Sequence, residues 1–141
     1  MAIRKANTGD LDPIVTLLNQ LGYPGTEKFM QEKLNRLMTH PDEVLIVYEE
    51  NNKVLAVMSI HFICQLALEG DFARISYFAV DGTARSNGIG KLLEEYCAEL
   101  AKNRKCDRIE VHCHERRTQA HKFYIRQGYE EVPKYFVKSL V

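Results

Sequence analysis

Arg85, Gly88 and Gly90 stand together in the stretch ARSNGIGKLL, directly ahead of an apolar helical pattern. Two glycines one residue apart are a poor way to start a helix unless something must come close to its backbone. A strand ending at Val80, a loop over 81–88 and a helix from about Ile89 place the amides of 85–90 at a helix N-terminus. Unpaired donors and the helix dipole make such a place attractive to phosphate. The missing Cβ atoms let a phosphate approach, and Arg85 adds a charged fork. A Walker A loop needs a hydroxyl residue where Leu92 stands and an upstream glycine, and a dinucleotide fingerprint needs a small residue where Leu93 stands. Neither fits. On these residues alone, a turn that merely uses glycine is an equally good account.

The elements that must position this loop follow from periodicity. Asn7 or Thr8 caps a first helix whose apolar face is Leu11, Ile14, Val15, Leu17, Leu18 and Leu21, with Gly22 ending it. A second helix, capped by Thr26, carries Phe29, Met30, Leu34, Leu37 and Met38 and stops before Pro41. The period then changes. β-Branched runs at 44–49 and 53–64 flank the turn-like ENNK, and FARISYFAV reads as a third long strand over 72–80. Behind the glycines, Ile89, Leu92, Leu93, Tyr96, Cys97 and Leu100 form an amphipathic stripe. DRIEVHC, residues 107–113, is the next strand and TQAHKFYIRQ a short helix closed by Gly128. YEEVPKYFVKSLV supplies two short terminal strands around Pro133.

At 141 residues with 45% hydrophobic side chains, the chain buries one core, and a single domain over 1–141 is expected. Lys plus Arg (19) balances Asp plus Glu (19), so no global field draws it to nucleic acid or to an acidic membrane. MAIRKANTGD lacks the apolar run of a signal peptide, and no stretch nears the roughly 20 apolar residues of a membrane span. A cytoplasmic location is expected. Cys64, Cys97, Cys106 and Cys113 have no C-x-x-C spacing and read as reduced, mostly buried packing residues.

The run from Arg85 through Ser86, Asn87, Gly88 and Ile89 to Gly90 resembles the R/Q-x-x-G-x-G/A pyrophosphate loop of the GNAT superfamily of N-acetyltransferases. AHKFYIRQGYE, residues 120–130, resembles that family's second signature, A-x-x-F/L-Y-x-x-x-G-F/Y, and the order of elements matches over essentially the whole chain. The resemblance implies an α/β (α+β) fold with a central mixed, twisted sheet of about six to seven strands and about four helices, splayed between strands 72–80 and 107–113. It implies acetyl-CoA as co-substrate, with backbone groups of Phe78, Ala79 and Val80 on the pantetheine arm and residues from Arg85 through Gly90 to Lys91 on the pyrophosphate. Tyr124 would assist departure of the sulfur, with a core tyrosine as the plain alternative, and an amide near Ala79 or Val80 would stabilise the oxyanion. Arg117 stands where many members have asparagine, and would meet a phosphate or an anionic substrate group instead.

Amine attack on a thioester also needs a base. Many members carry a mid-strand glutamate where this chain has Tyr77, and no carboxylate stands between Asp71 and Asp81. His112 and His114 would share one strand face by period two, and His112 is ranked first as the replacement. His61, the loop acids Glu69 and Asp71, or a water chain are the other candidates. His112, Cys113 and His114 supply too few ligands for a metal, and none is expected. The acceptor is expected to be a small-molecule primary amine, with Tyr23, Phe29, His61, Phe62 and Tyr77 as pocket candidates and a look of the small-amine and aminoalkylphosphonate branches. A peptide N-terminus or lysine, an idle acetyl-CoA-binding module, and a plain interaction domain are the alternatives. The apolar end YFVKSLV is compatible with a homodimer.

Overall fold

The computed structural model describes residues 2–85, 87–132 and 134–141. Its sheet holds five strands among these residues: β1 (Ala2–Lys5), β2 (Glu43–Glu50), β3 (Lys53–Ile63), β4 (Phe72–Val80) and β5 (Arg108–Val111), in that spatial order. The first three junctions are antiparallel and the β4–β5 junction is parallel. Four α-helices accompany it: α1 (Leu11–Leu21), α2 (Met30–Thr39), α3 (Ile89–Asn103) and α4 (Thr118–Arg126).

Alternation along the strands separates two cores. Ile46, Met58, Ile60 and Ile75 face α3, which contributes Ile89, Leu93 and Cys97. Val47, Val57 and Ala79 face α1 and α2, which contribute Ile14, Leu17 and Leu34. The buried stripe of α3 is narrower than periodicity suggests: Leu92 and Tyr96 are exposed, while the acidic Glu94 is buried.

Several expectations are corrected. β1, hidden in the charged N-terminus, pairs with β2, and Arg4 reaches from it to Glu49 (2.7 Å) and Asp10 (2.8 and 2.9 Å). Asn7 does cap, but it opens a single 3-10 turn (Thr8–Asp10) that leads into α1. Thr26 does not cap: it begins another 3-10 turn after left-handed Gly25, and its buried hydroxyl has no partner among the described residues. The two terminal strands do not form, since residues 129–132 and 134–141 hold no regular structure and Phe136, Val137 and Leu140 are exposed. The strand count is therefore below the six to seven expected. β5 ends at Val111, so His112 and His114 lie beyond it and period two does not govern them. Of the cysteines, Cys97 is buried, Cys106 and Cys113 are half-buried and Cys64 is exposed, all as free thiols.

Candidate active site

The sheet forks. β4 and β5 pair from Phe72↔Arg108 to Ile75↔Val111 and then part, so β4 runs on through Ser76 to Val80 with no strand on that side. An unpaired strand edge is a row of amide donors and acceptors suited to another extended, amide-bearing chain. A bulge marks the same point: Ile60 faces Ile75 and Ser59 faces Tyr77, which leaves Ser76 as the extra residue. Bulges bend a strand and re-aim its side chains.

Past Val80 the chain makes a 3-10 turn (Gly82–Ala84) capped by Asp81 and enters α3. Gln20 of α1 holds this turn, donating to Asp81 (3.2 Å) and accepting from the Gly82 amide (2.9 Å). Gly88 is the N-cap of α3 at φ +78, and no side chain among the described residues caps the helix. The first amides of α3, those of Ile89, Gly90 and Lys91, therefore point outward without an intrahelical acceptor. Arg85 donates its Nε to the Val80 carbonyl (3.3 Å) and is exposed. Asn87 and Lys91 are also exposed, and the Ile89 side chain is in the core, so Ile89 offers only its backbone. Ser86 lies outside the described residues.

Gly90 has a different reason from the one its sequence suggested. A Cβ there would meet Phe123 of α4 at 3.3 Å and Phe78 of β4 at 3.7 Å. Phe78 and Phe123 are themselves edge to face at 5.9 Å. The absence of a side chain lets α3 settle on this aromatic pair, and of the two loop glycines it is Gly88 that takes a left-handed backbone.

That contact fixes α4, and with it Tyr124. The Tyr124 ring lies edge-on between Phe123 (5.3 Å) and Tyr129 (5.5 Å). Burial pushes its phenol well above the ordinary tyrosine range, with the nearby Cys113 adding and the Arg117 charge opposing. It holds its proton at neutral pH and is available as a donor. Behind it the Tyr129 hydroxyl donates to Glu94 (3.0 Å), a carboxylate only 7% exposed whose pKa is raised by burial and partly restored by that hydrogen bond. This pair was not foreseen, because its members sit on α3 and beyond α4 and Glu94 interrupts an apolar stripe.

The remaining candidates separate. His112 is exposed and stacks on Tyr135 at 4.5 Å, with no hydrogen bond to its ring among the described residues. Arg117 is the N-cap of α4 and donates its amide to His114 (3.0 Å). Tyr23 and Tyr77 come together edge to face at 5.4 Å, both about half exposed, on the α1 and α2 side of the fork. Phe29 is exposed under the Lys33 ammonium and joins neither. His61 and Phe62 line a cavity of about 520 Å³ together with Glu43, Arg74 and Ser76. His61 bridges Glu43 (Nδ1 to Oε1, 2.5 Å) and Ser76 (Nε2 to Oγ, 2.9 Å), a link no sequence pattern signalled because the three lie on three strands. No cluster of His, Cys, Asp or Glu that would hold a metal ion occurs among the described residues.

A strand fork thus leads to the N-terminus of α3, and Phe123, seated against Gly90, ties Tyr124 to that start. The model of the Acetyltransferase (GNAT) family matches residues 11–129. The chain belongs to that family and is an acetyltransferase. It is 26% identical over 143 residues to the aminoalkylphosphonate N-acetyltransferase of Salmonella typhimurium, covering 98% of this chain and 90% of the relative. Among solved structures it is similar to glucosamine-6-phosphate N-acetyltransferase from Arabidopsis thaliana (TM-score 0.86, 23% identity, 99% and 97% of the two chains). It is also similar to a GNAT family acetyltransferase from Staphylococcus aureus (TM-score 0.83, 24% identity, 99% and 100%).

Proposed function

We propose that this chain transfers the acetyl group of acetyl-CoA to the primary amine of a small molecule, by direct attack within a ternary complex. The observation that carries the reading is the continuous track from the unpaired β4 edge at 76–80 to the uncapped amides after Gly88. The groups present fit the donor. The edge offers backbone partners to the two amides of a pantetheine arm, and the helix start offers outward N–H groups and a favourable dipole to a diphosphate. Arg85, exposed and held by one 3.3 Å bond to a carbonyl, is free to exchange that neutral partner for a phosphate. Acetyl-CoA itself supplies an activated acyl carbon and a thiolate leaving group.

Tyr124 takes the role of proton donor to that thiolate. A half-buried phenol held above the ordinary tyrosine range is poorly suited to ionise and well suited to donate, and the ring is wedged against Phe123 and Tyr129. Tyr23 and Tyr77 offer an aromatic wall on the opposite face, where an amine can reach the acyl carbon without crossing the donor's track. The relatives named for an aminoalkylphosphonate and a hexosamine phosphate support a small amine that also carries an anionic group.

Calorimetric titration with acetyl-CoA, followed by free-thiol release on the same sample against aminophosphonates, amino-sugar phosphates, simple diamines and peptides, tests this. Binding with turnover of a small amine is the expected result. Turnover of peptides alone would replace the acceptor class, and binding without any turnover would favour a sensing module.

A further inference from the structure

We propose that Glu43, His61 and Ser76 form a proton relay that deprotonates the acceptor amine, so that the base of this enzyme is a histidine reached through a serine at the apex of the strand fork. The inference rests on the acetyl-transfer reading above. The last β4–β5 pair is Ile75↔Val111, so Ser76 is the residue at which the fork opens. It is also the bulged residue of the β3–β4 junction, and the bulge turns its hydroxyl toward His61, away from the regular alternation. Glu43 is the direct cross-strand partner of His61 on β2. Three adjacent strands thus place carboxylate, imidazole and hydroxyl in one line that ends where the acyl carbon must lie.

The hydrogen bonds describe two states of one device. With neutral His61, Glu43 fixes the tautomer by accepting from Nδ1–H, and Nε2 accepts from the Ser76 hydroxyl. With protonated His61, Nε2–H donates to Ser76 Oγ, and the hydroxyl proton turns to the Ser59 carbonyl 3.3 Å away. The second acceptor lets the serine pass a proton inward without losing a partner. Other charges facing the ring are few: Arg74 is spanned to Glu110 (3.1 Å) and Asp42 to Arg104 (3.1 Å), while His40 and Cys64 complete the titratable lining.

The step balances as follows. The acceptor ammonium gives a proton to Ser76 Oγ as the serine proton passes to His61 Nε2. The freed amine lone pair forms the C–N bond and the C–S bond breaks with its electrons on sulfur. The second amine proton reaches the thiolate through Tyr124, and His61 releases its proton to the cavity. Net, ammonium plus thioester yields amide, thiol and one proton.

Nitrogen-detected NMR of the His61 ring in the free protein, together with pH profiles of kcat/KM for wild type, His61→Gln, Glu43→Gln and Ser76→Ala, tests the relay. The expected spectrum of the neutral ring is the Nδ1–H tautomer. His61→Gln should lower kcat/KM about 10²–10³-fold near pH 7. Its rate should climb back toward pH 10, where a primary amine sheds its proton unaided, with acetyl-CoA affinity unchanged. An Nε2–H tautomer, or a His61→Gln profile that keeps the wild-type acid limb, would overturn the relay. A chain that acetylates nothing would overturn the acetyl-transfer reading and the relay with it, whereas an Nε2–H tautomer in an active enzyme overturns the relay alone.

Discussion

Replacing Tyr129 with phenylalanine removes one oxygen and, with it, the 3.0 Å hydrogen bond received by Glu94. Glu94 is 7% exposed, so water cannot replace the lost donor. Stripping the partner from a buried acceptor costs about 1–3 kcal/mol, toward the upper end when the acceptor is charged. The pH dependence makes this specific. Burial raises the folded-state pKa of Glu94 above its reference of 4.5, and the Tyr129 hydroxyl opposes that rise. A raised carboxyl favours folding below the unfolded value, and that contribution is lost as pH climbs through the folded value. Without Tyr129 the folded value is higher still, so the loss continues to higher pH. The difference between wild type and Tyr129→Phe should therefore be smaller at pH 4, below the reference value, than at pH 8. Urea unfolding across that range measures it, and at this chain length each kcal/mol corresponds to roughly 3–6 °C in Tm. In a Glu94→Leu background, Tyr129→Phe should cost almost nothing. A pH-independent penalty, or the same penalty in the leucine background, would refute the reasoning.

Tyr124→Phe should lower kcat about 10²–10³-fold while leaving the Kd for acetyl-CoA within about twofold, and equal losses in both would make the phenol structural. Gly90→Val forces methyl groups onto Phe123 and Phe78 and should cost about 1–3 kcal/mol by denaturant melts; a variant as stable as wild type would show that the aromatic pair yields freely. Burial acts to raise the Asp10 carboxyl, but the Arg4 guanidinium and the Asn7 amide overcome it and hold it below its reference of 3.8. A depressed carboxyl stabilises the fold above the unfolded value and loses that as pH falls through the folded one. Asp10→Asn should therefore lower Tm at pH 7 and flatten its fall below about pH 4; an unchanged acid slope would remove this pair from the acid transition.

What the sequence revealed was whatever depends on near neighbours. Alternation marked β2, β3 and β4 to within a residue or so, and the glycines announced the start of α3. Charge disguised β1, a four-residue strand holding Arg4 and Lys5, where Arg4 finds Glu49 across the sheet and Asp10 in the turn that follows. Apolar composition misled at the C-terminus, where Phe136 and Val137 pair with no strand. Ranking His112 above His61 followed from counting period two along a strand that stops at Val111. The merit of His61 arises only across strands, from the register that sets it beside Glu43 and the bulge that turns Ser76 toward it. Glu94 belongs to no apolar pattern, and its burial shows only in the packing that sets Tyr129 against it.

The seat of Gly90 on Phe123 also bears on how such a protein can be recombined. The two signature stretches lie far apart in the chain, yet one contributes the hollow and the other the ring that fills it. They behave as a matched key and lock rather than as portable cassettes. A chimera that borrows the glycine loop from another acetyltransferase without the matching aromatic inherits either a void or a collision at that seam. Laboratory shuffling of this scaffold will therefore succeed most often at breakpoints that carry both stretches from one parent.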